Sequence, residues 1–293
     1  GRSAILAALL LLFALPFYVL DRRSRVGRSF NQLRGGARMA PCHDASPMRQ
    51  CITWLLVAII ALPTSILVVA RCTMYLLQLE SPARIWSQAL HSLGASLLWS
   101  SVAATLAMIA AFLIAWVSQR SRLSLNQALI PVASMGYVLP GPVIALGLLI
   151  VATSIPAFRT TIYGSGFIVI LAYLFRSLPE AIQSAESGLT QSPKNLEDVA
   201  RTLGYPPLRA VLVVTFPLVR GSMIVSWVLV FTAAMRELPA TLLLKPLGSR
   251  TLATEIWKHA QDSWYAEMAP ATLLLVACSL PAVVLLLLRE HKR

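Results

Sequence analysis

Seven stretches of almost unbroken apolar sequence alternate with polar segments along the 293-residue chain. They run over Ala4–Leu20, Ile52–Leu77, Leu93–Val117, Ala128–Ala152, Ile162–Phe175, Met223–Leu244 and Ala269–Leu288. Most approach or exceed the ~20 residues a helix needs to cross a hydrocarbon core. Each is expected to be helical, because lipid offers backbone polar groups no partner outside a helix or a closed barrel. The fifth stretch is short for a span.

The polar interruption NLEDVARTLGYPPLRAVLVVTFP, Asn195 to Pro217, has a pattern of its own. Leu196, Val199, Ala200 and Leu203 fall at i, i+3, i+4 and i+7, opposed by Glu197, Asp198, Arg201 and Thr202, which predicts a short amphipathic helix whose apolar stripe needs a groove. Asn195 can cap its first turn, with Asp198 as the acid three residues on. Gly204 supplies the left-handed position that ends a helix, and Pro206 and Pro207 block continuation while suiting the start of a second helix.

Composition agrees with a multispanning membrane protein: 57% hydrophobic residues, 13% charged and a mean hydropathy of +0.71. The net charge of +13 would raise nucleic-acid binding in a soluble chain. Here the Lys and Arg residues sit mostly in short loops beside apolar spans, where they set orientation, so no nucleic-acid partner is expected. Seventeen of them fall in 21–50, 118–126, 176–220 and 289–293, against six in the loops of the opposite side. The richer side is cytoplasmic by the positive-inside rule, and it contains the Asn195–Pro217 segment. Cys42, Cys51, Cys72 and Cys278 are scattered without CxxC spacing, and neither Cys42-His43-Asp44 nor His259 with Asp262 supplies enough ligands for a metal site.

Two spans carry breaks. Gly136-Tyr137-Val138-Leu139-Pro140-Gly141-Pro142 lies inside the fourth stretch, where the prolines remove amide donors; a broken helix at membrane depth is tolerated only beside protein or a water-filled cavity. Tyr137, Pro140, Gly141 and Pro142 are therefore gate or cavity-wall candidates. In the sixth stretch, Arg236-Glu237-Leu238-Pro239 places charges at a depth where each costs about 2.5–3.5 kcal/mol. Glu237, beside Pro239, is the first candidate for a translocation pathway, with pairing across helices as the alternative. Outside, Thr251–Trp264 is amphipathic, with Leu252, Ile256, Trp257 and Trp264 available for one side as an interfacial anchor or a docking face.

These motifs carry a resemblance. Asp198-Val199-Ala200, Gly204 and Val214-Thr215-Phe216-Pro217 resemble the EAA loop of permease subunits of binding-protein-dependent ABC importers, with Asp for Glu and Val for the first Ala. The Tyr137-to-Pro142 segment resembles the YxxPGP stretch of the ferric-iron permease group, and RELPATLLLKPLGSRTLATEIW, Arg236–Trp257, resembles that group's ELPATLLLxPxGxxTLATxxW region. The resemblance implies an all-α polytopic membrane helical bundle of the type I ABC importer permease kind, with about six core spans plus one preceding span, multi-pass in a bacterial inner membrane. It further implies that Leu196, Glu197, Asp198, Val199, Ala200, Leu203, Gly204 and Pro217 couple to a cytoplasmic ABC ATPase dimer. That partner would use ATP and Mg, this chain binding no cofactor or metal and, lacking a P-loop, hydrolysing nothing. A periplasmic substrate-binding protein and another permease half are the other implied partners. Residues 1–20 are then expected to be the last span of a preceding half, 21–51 a basic cytoplasmic linker, and 52–290 the permease domain with its coupling loop at 176–220. The implied substrate is ferric iron; permeases for thiamine or 2-aminoethylphosphonate share much of the pattern. An ion-gradient-driven secondary transporter is the rival class, distinguished by transport that survives loss of the ATPase.

Overall fold

The computed structural model describes residues 47–290 apart from 80, 121–129, 131 and 193–194. The expected preceding span at 1–20, the linker up to residue 46 and Cys42-His43-Asp44 lie outside the described residues. Ten helices follow one another among those described: α1 Pro47–Leu76, α2 Pro82–Arg120, α3 Gly141–Ser154, α4 Pro156–Thr161, α5 Gly166–Thr190, α6 Asn195–Thr202, α7 Pro207–Met235, α8 Pro239–Leu244, α9 Leu252–Gln261 and α10 Tyr265–Glu290. Residues 47–51, expected to close the linker, already belong to α1.

By length and composition α2, α5 and α7 can each cross a membrane, and they pack on one another as the central unit. The contact face of α2 is a column of small residues in which Ala103, Ala107, Ala111 and Ala115 are fully buried one turn apart. Small side chains let helix backbones approach closely, which supplies dispersion contacts where lipid gives no hydrophobic drive between helices. α10 packs on α7, α2 and α1, while α3 rests on α5 and α8.

One expectation from the hydropathy pattern changes, and the two expected breaks take definite positions. The fifth span is not short: α5 is a 25-residue helix running on to Thr190, so the expected loop at 176–220 begins inside it. Charged Arg176, Glu180 and Glu186 interrupt the apolar run, yet Leu178, Ala181, Ile182, Ala185 and Leu189 continue a buried stripe at helical spacing. The fourth stretch is not one span. A 3-10 turn over Ser134–Tyr137 leads into extended backbone at Pro140 (φ −58°, ψ 142°), and α3 begins at Gly141. The sixth stretch is also broken, between Met235 and Pro239, because Pro239 has no N–H for the next helical bond and its ring collides with the carbonyl four residues back.

A further proline shapes α7. Pro217 sits within the continuous helix Pro207–Met235, and the turn before it, Val211–Thr215, opens into a π-helix in which the Phe216 N–H reaches the Val211 carbonyl. A wider turn is one way a helix absorbs a residue that cannot donate.

Candidate functional site

One end of the molecule is organised around α6. Gly204 has φ +91° and ends the helix as expected: its N–H donates to the Arg201 carbonyl and the Tyr205 N–H to the Ala200 carbonyl, 3.0 and 3.1 Å, the paired bonds of a Schellman stop. Pro206 is extended and Pro207 opens α7.

The faces of α6 are not those the periodicity suggests. Leu196, Val199 and Leu203 are 40, 54 and 73% exposed, whereas Ala200, placed in the same stripe, is 6% exposed and turned inwards. Glu197, expected on the polar outer face, is 9% exposed. Its carboxylate accepts from Arg120 Nε at the end of α2 at 3.1 Å, with Nη2 at ion-pair distance, 3.0 Å, and from the Thr215 hydroxyl on the π turn of α7 at 2.5 Å. Asp198 remains outside, 3.8 Å from Arg201. The reason for the reversal is energetic: an arginine closing α2 and a hydroxyl on α7 satisfy a carboxylate on the side where α6 meets the body, so the leucines are left without a groove within the described residues. Arg120 and Thr215 could not be singled out from sequence, because their link to Glu197 spans 77 and 18 positions.

The two broken spans meet at mid-bundle. Glu237, 8% exposed, is ion-paired through Oε2 with Arg176 Nε of α5 at 2.7 Å. Its backbone carbonyl accepts the Thr241 hydroxyl at 2.6 Å, and since that hydrogen is used, Tyr173 O–H is the donor in its 2.6 Å bond to Thr241 Oγ1. A Cβ on Gly141 would lie 2.7 Å from Glu237 Oε1, so any larger residue at the start of α3 would push this carboxylate aside. A Cβ on Gly136 would lie 2.0 Å from the Phe175 carbonyl oxygen. That carbonyl stands four residues before Pro179, which has no N–H to offer it. The structure thus gathers Gly141, Glu237 and Pro239, three of the pathway candidates, at one crossing with Arg176, a residue that the hydropathy pattern places in the cytoplasmic loop. Tyr137 and Pro142 are exposed and Pro140 half-buried on the same rim.

Thr251 and Thr254 form a reciprocal capping box that starts α9, and Ser96 of α2 accepts the Leu252 N–H at 2.8 Å. His259 is buried between Glu255 at 3.1 Å and Glu267 at 3.5 Å, and Glu255 also faces Arg250 at 3.5 Å; Asp262 is not its partner. Leu252 is buried while Trp257 and Trp264 are exposed, so the expected apolar side is divided between the bundle and its surroundings. Among the described residues no group of three metal-ligating side chains converges.

Residues 103–291 match the family described as the binding-protein-dependent transport system inner membrane component. The chain belongs to that family. It is a multi-pass inner membrane component of an ABC transporter, with a helical permease fold. Among similar curated proteins are the Fe(3+)-transport system permease protein FbpB 2 of Haemophilus influenzae, 30% identical over 66% of this chain and 38% of that protein, and the ferric transport system permease protein FbpB of Actinobacillus pleuropneumoniae, 25% identical over 69% and 30%. The 2-aminoethylphosphonate transport system permease protein PhnV of Salmonella typhimurium, a putative assignment in its own name, is 28% identical over 50% of this chain and 56% of that protein. The chain therefore spans about a third of the length of these ferric relatives. The crystal structure of a bacterial alginate ABC transporter in complex with an alginate pentasaccharide-bound periplasmic protein shares the fold, with a TM-score of 0.58 at 12% identity over 83% of this chain and 92% of that one.

Proposed function

We propose that this inner membrane component forms part of the translocation pathway of an ATP-driven importer for ferric iron, and that α6 is the helix through which a separate cytoplasmic ATPase dimer drives it. The observation that carries the coupling role is the division of α6: Glu197 and Ala200 hold it to the bundle while Leu196, Val199 and Leu203 project outwards together. Exposed aliphatic side chains on a short polar loop are an unpartnered docking face, and the positive-inside asymmetry supports an inner location for it even with Arg176 removed from the count.

In this reading the ATPase, using ATP and Mg, closes around α6 and displaces it. Arg120 and Thr215 pass the displacement to α2 and α7, and the spans rock between outward-open and inward-open arrangements. A periplasmic binding protein delivers the solute, and a second set of spans completes the passage. Ferric iron as cargo is supported by the names of two of the relatives described above.

The deciding experiment replaces Ala200 with Leu or Gly204 with Val in the assembled transporter and follows ATP-dependent uptake of ferric iron alongside membrane insertion. Insertion is expected to persist and uptake to disappear. Normal uptake by both variants would sink the coupling role, and uptake of 2-aminoethylphosphonate in place of iron would reassign the cargo.

A further inference from the structure

Glu237, the acid that stands out in the sequence, is committed to Arg176; a different acid is available nearby. Glu180, Gln183, Ser184 and Ser187 follow at i, i+3, i+4 and i+7 on α5, opposite its buried stripe of Leu178, Ala181, Ile182, Ala185 and Leu189. With Leu229, Thr232 and Ala233 of α7 and Arg236 just past its end, the first three line a cleft of about 400 Å³. Gln183 and Arg236 are exposed at its mouth. The Nε of Arg236 donates to the Thr232 carbonyl at 3.1 Å, which fixes the side chain along the cleft wall. Among the described residues no hydrogen bond or ion pair engages the Glu180 carboxylate, although Arg176 and Arg236 both lie within its electrostatic reach.

Depth makes this cleft unlike a solvated loop. Glu180 lies fourteen residues into the 25-residue α5, roughly 21 Å along it at 1.5 Å per residue, and Arg236 stands where α7 breaks. Charges at such depth cost about 2.5–3.5 kcal/mol each in contact with lipid, so this face borders water or protein. Its lining sets one carboxylate, one guanidinium, an amide and two hydroxyls among the apolar Leu229 and Ala233, and its own charges cancel.

We propose that this cleft is where the passage contacts its solute, with Glu180 facing a cationic centre and Arg236 facing an oxyanion paired with that centre. A bare trivalent cation would meet a single uncommitted carboxylate and the repulsion of Arg236, so the wall selects a cation that travels with its own anionic oxygens. Ferric ion held by a carboxylate chelator and an aminoalkylphosphonate both have this chemistry. The assignment rests on the transport role proposed above and names the surface at which that transport is specific.

The test uses the complete transporter with Cys42, Cys51, Cys72 and Cys278 replaced by Ser and with Ser184→Cys added. A charged, membrane-impermeant methanethiosulfonate is expected to label the new thiol in membranes accessible from both sides, and either ferric citrate or 2-aminoethylphosphonate is expected to slow that labelling. Whichever solute protects is the source. Labelling by a lipid-soluble maleimide alone, or protection by neither solute, would overturn the proposal. In parallel, Glu180→Gln and Arg236→Gln are expected to lower uptake by about tenfold or more, the scale of losing one charged hydrogen bond. Binding-protein-stimulated ATP hydrolysis should persist in both, and Glu180→Asp should recover part of the uptake. Normal uptake by both variants would remove the cleft from the pathway and leave the transport role standing. Absence of ATP-dependent uptake of either solute by the unsubstituted protein would strike the transport role, while the labelling still decides whether the cleft is a wet solute site.

Discussion

Arg120 and Glu197 hold α6 to the bundle through a 3.0 Å ion pair in which both side chains are 12% exposed. Removing one member of a pair this enclosed strands the other charge, which costs about 3–5 kcal/mol in fully buried cases and somewhat less here. Glu197→Ala is therefore expected to speed amide exchange throughout α6 and to abolish uptake with insertion intact. Exchanging the charges, Arg120→Glu with Glu197→Arg, should restore part of both. A coupling energy of about 1–3 kcal/mol in the double-mutant cycle would confirm the link; additivity of the two single variants would dissolve it.

Gly136 and Gly141 separate two kinds of close contact. A methyl at Gly136 meets the backbone carbonyl of Phe175, which can move only with α5, whereas one at Gly141 meets the end of a side chain, Glu237 Oε1. Thermal unfolding in detergent is expected to show Gly136→Ala as the more damaging change, with overpacking costs of about 1–3 kcal/mol at such sites. Gly141→Ala should act by displacing Glu237 from Arg176, so Arg176→Gln in the same chain should add little to its effect. A larger loss for Gly141→Ala than for Gly136→Ala would contradict this ordering.

Gly204 needs a left-handed backbone, yet a methyl placed there would find no heavy atom within 4 Å, so its constraint is conformational and not spatial. Asparagine enters that region at little cost, while a β-branched residue does not. Gly204→Asn is expected to keep most of the uptake and Gly204→Val to lose it. Equal loss in both would show that the site rejects bulk, as a contact surface would.

Thr251 and Ser96 anchor α9 from two directions. Thr251→Ala removes the capping box and should cost about 1 kcal/mol. Ser96→Ala leaves the buried Leu252 N–H without its acceptor and should cost about 1–3 kcal/mol. Unfolding free energies measured in bicelles would check both, and unchanged stability in Ser96→Ala would mean that another group takes over the amide.

Hydropathy is a good guide wherever the surroundings of a helix are uniform. α1 and α2 contain the unbroken apolar runs expected at Ile52–Leu77 and Leu93–Val117 almost whole, because a helix in lipid or in an apolar core has one requirement at every position, but both begin earlier, α2 by eleven residues through the polar Pro82–Ser92. It fails for α5, whose second half is apolar only on the side facing α2 and α7; Arg176 and Glu180 look like loop residues until their neighbours are known. The stop at Gly204 is legible because a left-handed backbone selects glycine locally. The orientation of Glu197 is not, since it depends on Arg120, and no local rule ranks a distant guanidinium above solvent for a carboxylate on a polar face. Glu237 stands out as a charge in an apolar run, yet the same isolation hides the partner that neutralises it.

The alanine column of α2 limits how this protein can change shape. Ala103, Ala107, Ala111 and Ala115 have no χ angles, so along this column no rotamer switch on α2 can widen or narrow its spacing to its neighbours, which favours slide and pivot as the motions of the three helices. Bending is left to the chain at 138–140 and 236–238, where prolines have already removed the helical bonds that would resist it. Spin-label distances between α2 and α5 should stay fixed through the ATP cycle while distances from either to α3 and α8 change. The central helices then serve as a stiff strut, and the joints of the machine lie at its two proline breaks.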